Sequence, residues 1–539
     1  MCLRTPHDLR HTIYEGGTTM FIKILMLVVF FGIMIGVGFY SRKHAANVDG
    51  FVLGGRSVGP WLTAFAYGTS YFSAVIFVGY AGQFGWRFGL ASTWIGLGNA
   101  IIGSLMAWVV LGRRTRVMTQ QLNSATMPEF LGKRYNSNAL KIGSSAIIFI
   151  FLIPYTASLY NGLSRLFGMA FSIDYTVCII MMAVLTGIYV IAGGYMATAI
   201  NDFIQGIIMI VGIIAVIAAV LKVNGGFMEA YKGLAEIPNE GMNGAFASFF
   251  GPDPFNLLGV VILTSLGTWG LPQMVQKFYA IKSESAISKG TIISTLFAVI
   301  VAGGCYFLGG FGRLFTSVID PAGTGVPAAG YDSVVPTMLE GLSPLLLGVI
   351  VILVLSASMS TLSSLVLASS STLTLDFLKG NIIKDMDEKK QVLTMRLLIV
   401  VFILISVIIA IIQYSTTVNF IAQLMGISWG ALAGAFLAPF MYGLYMKKAT
   451  CASAWCSMIF GAGIMVLNML VKSAFPAWLQ SPINCGAFAM LAGLVIVPVV
   501  SLVTPKPDRK LVDFAFSGYD RKVVVTARDA LGGRREEVK

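Results

Sequence analysis

Ala66-Tyr-Gly-Thr-Ser-Tyr-Phe-Ser73 and Thr264-Ser-Leu-Gly-Thr-Trp-Gly-Leu-Pro-Gln273 each interrupt an apolar run, and neither suits an unbroken helix. Gly79, Gly82 and Gly85 follow the first, while Gly267, Gly270 and Pro272 lie within the second. Proline removes a backbone donor and clashes with the preceding turn, and glycine weakens a helix. At membrane depth, unwound backbone is tolerated only where it is buried or lines a cavity, and its free carbonyls can bind a cation. The two stretches fall in the second and seventh apolar runs. Counting from the second, the seventh opens a second set of five. Interrupted helices at matching places of two halves point to the inverted repeat of a secondary transporter. Glycine alone says little, because membrane helices use it freely for packing. The coincidence carries the reading.

The rest of the chain agrees. Its 539 residues are 56% hydrophobic and 11% charged, with mean hydropathy +0.81. Such a composition excludes a soluble globular protein. Thirteen runs are long enough to span a bilayer, at roughly 21–40, 61–85, 91–111, 142–170, 175–196, 203–222, 256–275, 290–312, 342–375, 396–413, 417–446, 450–471 and 483–503. They are numbered here as spans 1 to 13. The runs are continuous rather than alternating, which excludes a membrane barrel. Span 9 is too long for one straight crossing, so part of it should project beyond the bilayer.

Placing the N-terminus outside puts 28 of the 37 Lys and Arg residues on the inner flanks and 9 on the outer ones. That asymmetry selects N-out, C-in in a cell membrane, the plasma or inner membrane. The net charge of +13 is then a topology signal, and scattered basic residues do not make a nucleic-acid surface. Residues 1–20 read as a polar outer segment rather than a cleaved signal, with Met20 as an alternative start. Residues 21–503 form a single transmembrane domain, and the charged 504–539 segment reads as a mobile cytoplasmic tail. The six cysteines show no metal or disulfide spacing, and the three histidines lie outside the spans. The absence of a Gly-rich loop followed by Lys-Ser/Thr argues against ATP-driven transport. The chain is expected not to be an enzyme, and no obligate protein partner is evident beyond membrane lipid.

Within span 9, Ala357-Ser-Met-Ser-Thr-Leu-Ser-Ser364 concentrates hydroxyls. Ala357, Ser360 and Thr361 share one helical face, and Ser364 continues it by one turn. Small hydroxylated residues often serve only to bring helices close. A stripe of oxygens beside broken helices also suits a dehydrated hard cation. A further acid, Asp202, stands at the inner end of span 6 and is costly there unless hydrated, paired or bound to a cation.

These residues, in this order, resemble the sodium/solute symporter family, in its pantothenate and proline permease branches. The resemblance runs from the first span to the last. It rests on Leu53-Gly-Gly-Arg-Ser-Val-Gly-Pro60, Thr126-Met-Pro-Glu-Phe-Leu131 with Arg134 and Tyr135, Arg165-Leu-Phe167, Gly193-Gly194 with Asp202 and Gln205, Gly270-Leu-Pro-Gln273, and Ala-Ser-Met-Ser-Thr at 357–361. It implies an all-α, LeuT-like five-plus-five inverted repeat of spans 2–11, with one helix before and two after. It also implies sodium as the coupling ion, held by the backbone carbonyls of Thr69, Phe72 and Ala357 and the hydroxyls of Ser360 and Thr361. Asp202, Ser363 and Ser364, with Ser360, match a second sodium position in some relatives, or else mark the ion's exit path. The solute is expected between spans 2, 3, 7 and 11, beside Ser70, Tyr71, Ile76, Thr268 and Trp269.

Two departures bear on the solute. Proline-carrying relatives place an aspartate where this chain has Tyr71, and pantothenate-type relatives are closer there. A sugar-binding relative has a glutamine at the position of Ile76. The expectation is therefore sodium-coupled symport, by alternating access, of a small carboxylate-bearing organic solute, pantothenate- or amino-acid-like. A sugar or monocarboxylate symporter, or a solute sensor on a transporter scaffold, is the alternative. A channel is disfavoured because broken helices suit alternating access.

Overall fold

The computed structural model describes residues 6–171, 174–239, 241–315, 325–327, 330–379, 381–383, 385–414 and 421–520. Within these, the side chains of 6–20, Ile22, Tyr71, Arg165, 168–171, Pro344, 413–414, Ala422 and Asp520 lie outside the description. The architecture is all-helical, as the apolar runs require when every backbone polar group must be satisfied internally.

Eleven helical stretches among the described residues are long and apolar enough to cross a membrane. Two of them, Val75–Gln121 with 47 residues and Tyr175–Val223 with 49, are about twice the ~20 residues that one crossing needs. Each bends at a glycine in left-handed geometry, Gly89 (φ 61°) and Gly194 (φ 54°). The first holds the second half of span 2 with span 3, and the second holds spans 5 and 6. No side chain but hydrogen would fit at Gly89, where an added Cβ would lie 2.1 Å from the Phe246 carbonyl oxygen.

Both interruptions expected from the sequence are present. Span 2 runs as a helix from Pro60 to Tyr71 and stops at Phe72, whose backbone is extended (φ −87°, ψ 122°). It resumes as a π-turn over Val75–Tyr80 and then as the helix Ala81–Phe88. Span 7 runs from Pro254 to Leu266, tightens over Gly267–Trp269, and is extended at Leu271 (φ −82°, ψ 122°). Pro272 then starts the helix Pro272–Ala280, a position where a missing N–H costs nothing.

Span 9 is a helix from Pro344 to Thr372 that continues as a π-turn to Leu378. It packs against span 2, span 4 and the helix carrying spans 5 and 6. Its last turn does not project freely. Asp376 is buried and accepts a hydrogen bond from the Thr126 hydroxyl at 2.6 Å, beneath the helix Met127–Arg134. Residues 509–520 also depart from the mobile tail read from the sequence. The helix Arg509–Ser517 buries Val512, Ala515 and Phe516 against the 113–134 segment, and the Tyr519 hydroxyl bonds the carbonyls of Arg114 and Leu444 at 3.2 Å. Its apolar residues recur at helical spacing, which is enough to hold a short helix on a surface. Branched apolar side chains such as Val184, Val211, Leu296, Leu404 and Val495 remain exposed around the bundle, as a lipid-facing surface requires.

Candidate functional site

The break in span 2 and the hydroxyl stripe of span 9 meet. A helix that stops at Tyr71 leaves its last carbonyls without their usual donors four residues on. Two of these, Thr69 O and Phe72 O, face span 9. The Thr361 hydroxyl oxygen lies 3.2 Å from Thr69 O, 3.2 Å from Phe72 O and 3.1 Å from Ala357 O. The Ser360 hydroxyl oxygen lies 3.2 Å from Thr69 O and 3.0 Å from Ala357 O. Ala357, Ser360, Thr361 and Thr69 are all fully buried. Three carbonyls therefore share two hydroxyl protons, an acceptor-rich set. Such an oxygen-rich cluster is of the kind that suits a small hard cation. All five residues named from the sequence for the first sodium come together.

One turn along the same face lies a second cluster. The Ser364 hydroxyl is 2.9 Å from that of Ser70 and accepts a hydrogen bond from the Lys277 ammonium at 3.0 Å. Lys277 Nζ is 3.8 Å from Asp202 Oδ2, with the lysine side chain 2% exposed and the aspartate 0%. Among the described residues, both Asp202 oxygens are otherwise without hydrogen-bond partners. The ammonium also stands 5.1 Å from the centre of the Tyr195 ring, a cation–π distance. The Ser363 hydroxyl turns back onto Ser360 O at 2.9 Å. Asp202 is thus not an interfacial charge in headgroup water but a buried one, and its partner Lys277 stands just past the end of the apolar run 256–275.

The residues expected near the solute are distributed less simply. Ser70 faces the Ser364–Lys277 cluster. Thr268 donates to Gly103 O or Ser265 O, at 3.0 and 2.9 Å, and Tyr67 donates to the same Gly103 carbonyl at 2.8 Å. Trp269 Nε1 donates to Ile102 O at 2.9 Å. Span 7 is thereby pinned to span 3 at its break. Ile76 is buried in the π-turn beside Cys305 of span 8, whose thiol lies 3.8 Å from the Ile76 carbonyl. Tyr71's side chain lies outside the described residues.

Several polar groups at the same level went unremarked in the sequence. Spans 4 and 11 pack on the π-turn of span 2. They bring Tyr155 and Trp429 together edge to face, with ring centres 5.9 Å apart. Among the described residues, the hydroxyls of Tyr80 and Tyr155 and the indole N–H of Trp429 are buried and find no hydrogen-bond partner. Buried donors normally find partners, and unpaired ones beside a helix break mark a place for a ligand or water. A lone aromatic residue in an apolar run gives no sign of this. Only the packing gathers them.

The basic-rich ends of the spans are tied together. Left-handed Gly54, Gly55 and Arg56 turn the chain before span 2, and Arg56 donates to Ser124 O at 2.7 Å and Tyr279 O at 3.4 Å. Val58 N donates to Ala280 O at 3.2 Å, and Lys282 N to Val58 O at 3.0 Å, a short parallel bridge between the approach to span 2 and the exit from span 7. Burial lowers the Arg56 pKa, with Asp49 opposing the shift. Arg134 is fully buried and donates to Gly443 O at 2.8 Å and Met446 O at 2.9 Å, capping the end of span 11 where a positive charge is favoured. Tyr135 donates to Pro439 O at 2.7 Å in the same helix.

The profile of the sodium:solute symporter family matches residues 51–461. Sodium/proline symporters of Staphylococcus aureus strains, JH9 and NCTC 8325 among them, are 30% identical over 501 residues, spanning 90% of this chain and 93% of theirs. A solved structure of a Na+-coupled sialic acid symporter, substrate-bound and outward-open, is 16% identical and superimposes with a TM-score of 0.72 over 90% of this chain and 99% of its own.

Proposed function

The chain belongs to the sodium:solute symporter family, with sodium as its coupling ion, and on that premise we propose that it carries a small carboxylate-bearing solute of the amino-acid or pantothenate type. The observation that supports the site is the convergence of Thr69, Phe72 and Ala357 carbonyls with the Ser360 and Thr361 hydroxyls across the break in span 2. Sodium bound there holds spans 2 and 9 in one arrangement. If that arrangement also forms the solute site, each ligand raises the other's affinity. The inside-negative potential then favours inward movement by about 2.3 kcal/mol per charge per 100 mV.

The neutral donors Tyr80, Tyr155 and Trp429 favour a solute that accepts hydrogen bonds, with sodium compensating its charge. The proline carriers among its relatives support an amino-acid solute, and Tyr71 argues for one other than proline itself. In this reading the basic ends face the cytoplasm, the N-terminus lies outside, and 504–539 lies inside.

A thermal-shift screen of the purified protein in sodium buffer, against amino acids, pantothenate, monocarboxylates and sugars, identifies the class, and proteoliposome uptake of the hit tests it. Uptake should require an inward sodium gradient. Stabilisation by sugars alone overturns the solute reading. Equal uptake with potassium or choline in place of sodium overturns the coupling.

A further inference from the structure

Lys277 is a buried charge that the symport scheme does not use. It sits in the last turn of Pro272–Ala280, the half-helix that follows the break in span 7, and every residue of that half-helix is buried. We propose that its ammonium is a tethered cation filling the second cation position beside Asp202, so that this protein couples to one sodium and cannot load another there. The proposal rests on reading Asp202, Ser363 and Ser364 as a cation position.

The geometry provides the argument. A buried carboxylate needs one compensating positive charge, and Lys277 Nζ supplies it at 3.8 Å. The same nitrogen donates to Ser364 at 3.0 Å, so the ammonium takes up the serine oxygen a second sodium would need. The third side of the ammonium is the Tyr195 ring at 5.1 Å. A sodium entering this cluster would leave two positive charges facing one carboxylate in a space closed to water. Among the described residues, Asp202 is the carboxylate paired with Lys277, so the cluster holds one negative charge and the ammonium already balances it.

The tether has a mechanical consequence. A sodium ion leaves with each cycle, whereas the ammonium stays on span 7. Its pair with Asp202 on span 6 joins the inner half of a broken helix to a neighbour. Movement of that half-helix therefore makes or breaks an ion pair without using up a cation.

The test is sodium stoichiometry in the full-length protein. Radioactive sodium binding to the purified wild type should saturate at one ion per chain, and sodium-dependent uptake should show a Hill coefficient near one. Lys277→Met empties the position while keeping helix propensity and bulk, and should bind two ions with a Hill coefficient rising toward two. Lys277→Met combined with Asp202→Asn removes both charges and should return to one ion. Two ions bound by wild type overturn the proposal, however the variants fold. A Lys277→Met protein that binds sodium but stays at one ion also overturns it. Loss of all sodium dependence in wild type would instead strike the symport reading, so the two failures are distinguishable.

Discussion

The Thr361 hydroxyl of span 9 lies 3.2 Å from the carbonyl of Phe72, the residue at which span 2 unwinds. That contact joins residues 289 positions apart, and in the proposed sodium site it closes span 9 over the carbonyls freed by unwinding.

Replacing both Ser360 and Thr361 with Ala should therefore leave the fold intact and weaken sodium binding. Each hydroxyl contributes on the order of 1 kcal/mol, so sodium affinity should fall about 30-fold in the double variant. Sodium-dependent thermal stabilisation measures it. Wild-type sodium affinity in that protein would mean the stripe serves only to pack helices.

Asp202→Asn should slow transport more than it weakens solute binding. The substitution leaves the Lys277 ammonium buried with no counter-charge, which costs about 3–5 kcal/mol in whichever state the pair is closed. Solute affinity should stay within about threefold while turnover drops at least tenfold. Uptake kinetics beside equilibrium binding separate the two, and wild-type turnover would remove Asp202 from the cycle.

Tyr155→Phe deletes one unpaired donor without changing the ring that packs on Trp429. If that hydroxyl meets the solute, affinity should fall about 5- to 30-fold, for a loss of about 1–2 kcal/mol, with sodium affinity in the absence of solute unchanged. An unaltered solute affinity would place the solute elsewhere.

Arg134→Leu should destabilise the protein by about 3 kcal/mol, since two charge-assisted bonds to the end of span 11 are lost. Arg134→Lys should recover little, because a single ammonium cannot reproduce the planar fork. Apparent melting of detergent-solubilised protein, followed by size exclusion, reports both.

Much of this protein was legible in its linear order. Apolar runs of bilayer length, the breaks around Phe72 and Leu271, and the hydroxyl face at Ala357, Ser360 and Thr361 all depend on local chemistry: hydrophobic length, helix propensity and helical periodicity. Sequence could not tell whether a residue at a helix end is wet or dry. Lys277 and Asp376 stand at the margins of apolar runs, where a charge is ordinarily solvated, and both are buried because other segments close over them. The same holds for Arg134, hidden beneath span 11, and for the 509–520 helix, which docks rather than drifts. Burial of a charge is decided by what packs against it across hundreds of residues, and the energy of a buried charge depends on its partner more than on its own position. Span, break and stripe belong to the sequence. The pairing of Lys277 with Asp202, and the gathering of Tyr80, Tyr155 and Trp429, belong to the tertiary structure alone.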